Sequence, residues 1–512
     1  MCIRDSIVDL LLPFLALGLI TMGIGGYGLY EPHETHFAMV GSEMLLRNDW
    51  VTPHLNGAPY LNKPPLMYWL IATSISVFGN TEFAVRLPIA LSAWGGIVVA
   101  GKWSFDLWRV IAYRVTTLMM SVTLGWYIFS HQILLDVLLG TLLLASNYFL
   151  WKLIHKPSSQ VSFWFCFLGL YLSIALCLLT KGLIGLFFIG AGYIAIAIYH
   201  RSFRIFHQSK LFLGILLILA IILPWGLAIE QANPGFWHYF LTNEHLNRLV
   251  GQRFPSDYEV SKISLGGYLG ITALWCFPWV IFVPGVIHFV WQKLQLIKTF
   301  QLFQLKKIVP ISPEQDGILL LAIACMLPIA TFLPLPSRLI YYGIPAIPAC
   351  ITLCGGLLSQ QFINHHRQQT SKQYWVPLKK YNQEKYKPEK YKPIFDFYGY
   401  AFLLLGVIFA GAIALFPNLT KTFSVISKYQ FFNSVFITVL LSLAIGFSLA
   451  GMGILKRDYP TAFNSLVICF CLVFAIFNIG FSVFQNERSS NCLLYTSPSP
   501  RDRTRSRMPS SA

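Results

Sequence analysis

Long uninterrupted runs of apolar residues dominate the pattern of this chain. Thirteen of these runs approach the ~20 residues that an α-helix needs to cross the hydrocarbon core of a bilayer. We therefore predict an all-α integral membrane protein, a multi-span helical bundle without internal repeats. The predicted transmembrane helices cover residues 7–29, 84–104, 111–130, 132–152, 162–180, 183–199, 211–228, 265–290, 316–335, 339–361, 397–417, 431–453 and 462–484.

The composition of the chain supports the same class of protein. Hydrophobic residues make up 55% of the sequence and charged residues only 12%, and the mean hydropathy is +0.60. A soluble domain carries about twice that share of charge. The apolar residues therefore build membrane spans, and a single soluble core is excluded.

The distribution of Lys and Arg predicts the orientation in the membrane. Basic residues collect in alternate connections, which places those connections in the cytoplasm. The net charge of +17 is then mainly a topology signal, with some attraction to anionic membrane lipids. Because the charge is spread over separate short loops, nucleic acid is not an expected partner. The basic connections contain Lys102, Arg109, Arg114, Lys152, Lys156, Arg201, Arg204, Lys210, Lys293, Lys298, Lys306, Lys307, Lys456 and Arg457.

Two long connections, residues 30–83 and 229–264, fall on the opposite side. They are rich in acidic and aromatic residues, and long loops of this kind are usually functional or disordered. Their aromatic and aliphatic content argues against disorder. We predict a catalytic transmembrane core over residues 7–361 that carries these loops, a basic cytoplasmic linker over 362–396, and C-terminal transmembrane helices over 397–484.

The two ends of the chain are expected to be translated sequencing adapter. Codons for Met1–Asp5 and for Cys492–Ser497 can be written as reverse complements of each other. Without residues 1–6 and 492–512 the net charge falls to +14, because four Arg and one Asp leave with the C-terminal segment. The remaining cysteines are scattered through apolar runs without a CxxC spacing, which favours small buried hydrophobes over a metal site.

The first long loop begins with a cluster of titratable residues. Glu31, His33, Glu34 and His36 lie within six positions, at the predicted start of a helix that runs to about Arg47. Such carboxylates can be solvated or can cap a helix. The cluster could also hold a divalent metal cation, although that requires geometry that a sequence does not show.

Lys63 follows in the same loop, flanked by prolines and aromatic residues that stiffen the backbone. It can be a lysine whose ammonium reaches the membrane interface. It can equally be a clamp for the phosphate of a lipid carrier. In the second long loop, Arg248 lies near aromatic residues such as Trp237, a combination that suits phosphate pairing and sugar stacking or an ordinary aromatic belt.

Three further charges interrupt apolar runs. A lone charge at the centre of a bilayer costs roughly 2.5–3.5 kcal/mol or more, so such residues usually face a cavity or a partner. Asp136, Lys181 and Arg338 all fall at the predicted external ends of helices. They therefore share a face with Glu34 and Lys63, and we predict that the functional site lies there.

Several of these segments together resemble one family. They are the acid-rich start of the first loop, Asp49–Pro53, Tyr60–Trp69 with Lys63-Pro64-Pro65, Phe83–Pro88, Thr180-Lys181-Gly182, and Ser337-Arg338-Leu339 followed by Tyr342. Over most of residues 20–350 the chain resembles the membrane glycosyltransferases related to lipid A aminoarabinose transferase and protein O-mannosyltransferase.

The resemblance implies a GT-C type fold in a bacterial inner membrane, with a periplasmic active site. The implied reaction is inverting transfer of a sugar from a polyisoprenyl-phosphate donor to a hydroxyl or phosphate of a lipid or protein acceptor, such as lipid A. The family's acid at the start of the first loop is a general base. Where that family has Asp-Glu this chain has His33-Glu34, so the role is assigned to Glu34, with Glu31 and His33 as alternatives.

The same resemblance implies the other site residues. Asp136 would orient the partners of the base. No cofactor is certain, and the divalent metal cation considered above is the one candidate. A transporter or flippase of lipid-linked sugars is the alternative function, but the matching halves with broken helices that mark many transporters are not visible. The implied substrate-binding residues are Tyr60, Lys63, Arg86, Lys181, Arg248, Arg338 and Tyr342.

Overall fold

The computed structural model describes residues 3–30, 33–155, 157–254, 263–294, 312–335, 338–373, 392–422 and 430–483. Its α-helices are α1 (Ile3–Thr21), α2 (His33–Arg47), α3 (Leu66–Phe78), α4 (Glu82–Trp108), α5 (Val110–Ser121), α6 (Leu124–Ser130), α7 (Leu135–Ile154), α8 (Gln160–Lys181), α9 (Leu183–His200), α10 (Arg204–Gln208), α11 (Leu211–Ala232), α12 (Phe236–Leu241), α13 (Arg248–Val250), α14 (Leu265–Trp275), α15 (Val283–Leu294), α16 (Pro313–Phe332), α17 (Ile347–Gln373), α18 (Lys392–Thr422), α19 (Gln430–Leu455) and α20 (Tyr459–Val483).

Short elements complete the described part of the chain. A π-helical turn covers Thr242–Asn247, and 3-10 helices cover Trp279–Phe282 and Ile344–Ala346. Two antiparallel strands, β1 (His54–Leu55) and β2 (Ala58–Pro59), form a small hairpin. Asn56 and Gly57 join them with φ values of 54° and 80°, the left-handed backbone that favours Asn-Gly in such a turn.

The predicted multi-span helical membrane fold is confirmed. Ten helices of the described residues are long and apolar enough to cross a membrane, and the pair α14 and Trp279–Leu294 makes an eleventh if the two pieces, bent by 104°, form one span. The number thirteen is not confirmed.

The difference in the number of spans has local causes. Helix α1 ends at Thr21, before a turn in which Gly23 has a φ of 79°, so the predicted span 7–29 is shortened. The predicted span 111–130 is divided into α5 and α6, and the backbone N–H of Leu124 donates to the carbonyl oxygen of Phe277 (3.0 Å) at the break. A hydrophobic run in the sequence does not show where a helix breaks.

Helix α7 lies at the centre of the bundle. It packs against α4, α8, α9 and α16, and nearly all of its side chains are buried. At the C-terminal end of α7, polar contacts tie neighbouring helices together. The Asp106 carboxylate of α4 accepts from Lys152 (2.7 Å), and the buried Asp316 of α16 lies 3.1 Å from His155 and 2.8 Å from His200. These contacts hold α7 in place within the bundle, so the position of its opposite end is fixed as well.

The two long loops meet over that opposite end, on a surface here called the loop face. Trp225 donates from its indole N–H to the carbonyl oxygen of Val51 (3.0 Å). The side-chain amide of Asn233 donates to the Thr52 hydroxyl (2.8 Å). These bonds join the end of α11 to the segment before the hairpin, so the second long loop lies against the first.

Candidate active site on the loop face

A cleft of about 370 Å³ opens on the loop face where the two long loops meet. Its wall combines charged groups on one side with apolar groups on the other. The residues that line it are Asn62, Lys63, Lys181, Leu183, Ile184, Phe187, Phe240, Glu244, His245, Leu246, Arg248, Thr331, Phe332, Leu335 and Tyr342.

Glu244 is the centre of the charged side of the cleft. Its side chain is only 1% exposed, and its carboxylate lies among three cations from both long loops. Arg253 Nε is 2.7 Å from Glu244 Oε1, whereas Lys63 Nζ and Arg248 Nη2 are each 3.4 Å from Oε2. On the charged side, the described residues thus place one buried anion among three cations.

A second ion pair lies at the junction of α8 and α9. The Lys181 ammonium donates to the buried Asp136 carboxylate (2.6 Å) and also lies 5.2 Å from the centre of the Tyr342 ring. The Tyr342 hydroxyl in turn accepts from Arg248 Nη1 at 3.4 Å. This chain of contacts brings Lys181 to the same cleft as the Glu244 group.

Gly182 makes this junction possible. Its φ of +73° ends α8 and starts α9, and a Cβ here would lie 2.7 Å from His245 Nε2. His245 Nδ1 must donate to the carbonyl oxygen of Phe240 (2.9 Å), so its Nε2 accepts the backbone N–H of Leu183 (3.2 Å). His245 is therefore a neutral imidazole that fixes the second loop to α9, and burial lowers its pKa.

Among the described residues, cations outnumber carboxylates on the charged side of the cleft. Lys63, Lys181, Arg248 and Arg253 face the two carboxylates of Asp136 and Glu244. Burial and the neighbouring Arg248 charge together lower the pKa of Lys63 to about 7, against the opposing effect of Glu244. Burial alone would raise the pKa of Glu244, but the surrounding cations hold it below its usual value. The cleft therefore favours an added anion.

The other side of the cleft is apolar and open. Leu183 and Phe187 of the transmembrane helix α9 are 46% and 52% exposed, so they face the surroundings of the bundle. Phe332 of α16 stacks on Tyr342 with 4.1 Å between ring centres and closes the far side. A ligand with an anionic head and a long apolar tail fits such a cleft.

Glu34 has a different environment from the one expected for a general base. Its side chain is 2% exposed, and both carboxylate oxygens are used. Arg86 donates to Oε1 from Nε (2.9 Å) and to Oε2 from Nη2 (2.8 Å). The backbone N–H groups of Ile133 and Tyr30 add bonds of 3.1 and 3.0 Å. Four donors saturate the carboxylate, which disfavours its taking a proton from an acceptor hydroxyl.

Arg86 is equally fully used. Its remaining three N–H groups donate to the carbonyl oxygens of Ile24, Tyr27 and Gly28 at 2.7–2.8 Å. With the two bonds to Glu34, all five guanidinium donors are satisfied. Arg86 thus links α4 to the start of the first loop, and the substrate-binding role expected of it stays a prediction.

The remaining predicted residues lie in several places. The Arg338 guanidinium donates to the carbonyl oxygens of Leu333 and Ile263 and does not line the cleft. Tyr60 packs against His36, with 6.4 Å between ring centres, and also lies outside the lining. His33 meets Tyr341 edge-on at 6.1 Å. Glu31 lies outside the described residues.

Four predicted residues, Lys63, Lys181, Arg248 and Tyr342, do meet in one cleft, with Asp136 behind Lys181. The sequence reasoning did not single out Glu244, the centre of the charged side. The available signal was its i,i+4 spacing to Arg248, which places opposite charges side by side on one helical turn. For a metal ion, the part of the chain that the structure describes holds no group of three or more His, Cys, Asp or Glu side chains with suitable placement.

Comparison with known proteins identifies relatives of the chain. Residues 62–227 match the family described as dolichyl-phosphate-mannose-protein mannosyltransferase. The undecaprenyl phosphate-alpha-4-amino-4-deoxy-L-arabinose arabinosyl transferase of Yersinia enterocolitica is 30% identical over 299 residues, which cover 57% of this chain and 51% of that protein. Transferase 2 of Proteus mirabilis, described by the same name, is 28% identical over 271 residues, covering 52% and 47%. The chain thus spans about half the length of the curated relatives that it matches.

A solved structure supports the fold. The crystal structure of ArnT from Cupriavidus metallidurans bound to undecaprenyl phosphate superposes with a TM-score of 0.70 at 20% sequence identity, over 94% of this chain and 78% of that one. The predicted GT-C multi-span fold is confirmed by this likeness. The resemblance found in the sequence is confirmed as well: the chain is similar to aminoarabinose transferases over about half of its length, and residues 62–227 match the mannosyltransferase family.

Proposed function

We propose that this chain is an enzyme that transfers a sugar from a polyisoprenyl-phosphate donor to an acceptor at the loop face. The observation that carries the proposal is the two-sided cleft. Its cations lie within reach of one another, and its other wall is formed by exposed apolar residues of the spanning helix α9. An isoprenoid chain can lie along that wall while its phosphate enters the charged side.

The cations have a chemical role in this reaction. When the acceptor oxygen attacks the anomeric carbon, the bond from the sugar to the phosphate oxygen breaks and the lipid phosphate gains negative charge. Lys63, Arg248 and Lys181 lie where they can stabilise that charge. Fixed cations in a site with little water are effective in this role because they do not have to reorganise during the reaction. A good phosphate leaving group needs no general acid.

His33 is the stronger candidate for the group that takes the acceptor proton. It begins α2 beside the saturated Glu34, and its ring contacts Tyr341, which lies edge-on to Tyr342 at 5.6 Å. His33 is thus linked through aromatic contacts to a residue that lines the cleft. Imidazole is the commonest general base in proteins. These contacts support His33 ahead of Glu34, the assignment that the family resemblance first implied.

The predicted location belongs to the same proposal. We place the protein in a bacterial inner membrane with the loop face in the periplasm, because the basic connections lie on the other side. The names of the relatives point to undecaprenyl phosphate as the lipid and to an aminoarabinose-type sugar. Lipid A is the acceptor that we would test first, and a protein acceptor comes second.

The test uses the purified full chain in lipid nanodiscs with radiolabelled polyisoprenyl-phosphate sugars, with and without lipid A. We expect label to move to the acceptor with wild type, and Lys63→Ala to lower the rate on the order of 10²–10³-fold, as for loss of a charge-stabilising group. Lys102→Ala, which removes a half-exposed lysine at the opposite face, is the matched control and should keep full activity.

Two outcomes would contradict the proposal. The first is equal activity of wild type and Lys63→Ala, which would show that the charged side of the cleft takes no part in the reaction. The second is passage of intact donor across the bilayer of a proteoliposome without any loss of the sugar–phosphate bond, which would make the chain a flippase.

A further inference from the structure

We propose that Glu244 is a positioning residue of the phosphate site, whose carboxylate holds Lys63 and Arg248 in place for one lipid phosphate. The inference rests on the proposed function, since it gives those cations a phosphate to bind. Glu244 itself is an anion and would repel the lipid phosphate, so it cannot serve as a direct ligand. Glu244 therefore acts on the phosphate only through the cations around it.

The distances around Glu244 are uneven in an informative way. The bond from Arg253 Nε to Oε1 is 2.7 Å, the normal length of a charge-assisted hydrogen bond. The two contacts to Oε2, from Lys63 and Arg248, are 3.4 Å and therefore weaker. One oxygen is anchored, while the other is shared by two cations at the longer distance. An incoming phosphate oxygen can take over those two cations without breaking the anchor.

The local fold fixes the anchored side. The side-chain amide of Asn243 makes two bonds to the backbone of Phe254, at 2.5 Å to its carbonyl oxygen and 2.9 Å from its N–H. These bonds bring the neighbouring Arg253 back over the π-helical turn that carries Glu244. The Tyr239 hydroxyl donates to the Asn62 side chain (2.9 Å), which joins α12, the helix just before that turn, to the residue before Lys63.

Charge provides the second part of the role. The groups that face Lys63 are Glu244, Arg248 and Arg253 from the second loop and Lys181 from the end of α8. Tyr239 and His245 of the second loop and Tyr342 complete the surroundings. Among the described groups that act most strongly on Lys63, Glu244 is the one anion, and it favours the protonated ammonium. Without it, Lys63 would lose its proton at a lower pH and would no longer attract phosphate.

The experiment measures binding of a polyisoprenyl phosphodiester to the full chain in nanodiscs as a function of pH. A diester is used because a phosphate monoester titrates near pH 6 itself. With wild type, affinity should fall as the pH rises through about 7, the pKa of Lys63, because the ammonium loses its charge. With Glu244→Gln, which keeps the size of the side chain, the midpoint should move down by about one pH unit or more.

A rescue separates positioning by charge from a general loss of structure. Lys63→Arg in the Glu244→Gln background supplies a cation that keeps its proton throughout this range. In the double variant, the midpoint of binding should no longer be shifted to lower pH. A midpoint is measured within each protein, so a smaller folded fraction changes the amplitude and leaves the midpoint in place.

The outcomes distinguish this inference from the proposed function. If Glu244→Gln and wild type share the same midpoint, the role of Glu244 is refuted while the phosphate site stands. If the acidic shift persists in the double variant, the shift does not come from Lys63 and the inference is again refuted. If wild type binds no diester at any pH, the proposed function fails, and the inference fails with it.

Discussion

Two buried carboxylates at the loop face, Glu34 and Glu244, have opposite environments. Glu34 receives four hydrogen bonds of 2.8–3.1 Å, two of them from Arg86, whose donors are themselves all used. Among the described residues, Glu244 lies near three cations, and two of its ion pairs are long. A saturated pair holds the fold, whereas a carboxylate beside a cleft with two long ion pairs leaves those pairs open to exchange with a ligand.

The first difference can be tested by removing one partner of the saturated pair. Arg86→Ala leaves the Glu34 carboxylate buried without its cation, and the loss of one member of a buried pair costs about 3–5 kcal/mol. We therefore expect a large fall in melting temperature, or no recoverable protein. Arg47→Ala breaks an exposed ion pair with Glu43 on α2 and should cost less than about 1 kcal/mol.

Thermal unfolding in detergent, followed by tryptophan fluorescence, compares the two variants under identical conditions. If Arg86→Ala melted as wild type does while losing activity, Arg86 would belong to the binding site, as the sequence first suggested.

A smaller effect on stability, with a clear effect on function, is expected at the Lys181–Asp136 pair. Lys181→Met alone leaves Asp136 buried and uncompensated, so it should lower both stability and donor affinity. Adding Asp136→Asn removes the uncompensated charge and should restore most of the stability. Donor affinity should stay low in the double variant, because the cation near Tyr342 is still absent.

Melting temperature and donor affinity, measured on the same samples, follow the two effects separately. Recovery of donor affinity together with stability in the Lys181→Met/Asp136→Asn protein would show that the pair acts only through the fold.

The sequence predicted the class of fold and much of the cleft for physical reasons. A lone charge inside an apolar run costs free energy, so Asp136 and Lys181 were each expected to have a partner, and they pair with each other. Topology placed Lys63, Arg248 and Tyr342 on the same side as that pair. The sequence could not show how many hydrogen bonds and ion pairs each carboxylate receives. The partner of Glu34 is 52 residues away, and the Glu244–Lys63 contact spans 181 residues.

The same limitation explains the number of membrane spans. Apolar runs have the right length wherever a span occurs, but the breaks depend on tertiary contacts. The bend between α14 and α15 and the split between α5 and α6 meet at the bond from Leu124 to Phe277. That contact joins segments more than a hundred residues apart, so local patterns of hydrophobicity do not reveal it.

The central claim is that the charged cleft carries out the reaction while Glu34 holds the fold. Transfer of labelled sugar and melting temperature, measured side by side for Glu34→Gln and Lys63→Ala, test it most directly. The account predicts that Lys63→Ala melts close to wild type and loses transfer, whereas Glu34→Gln melts lower and its folded fraction keeps most of its turnover. A Glu34→Gln protein with an unchanged melting temperature and turnover reduced on the order of 10²–10⁴-fold, the effect of losing a general base, would contradict the account.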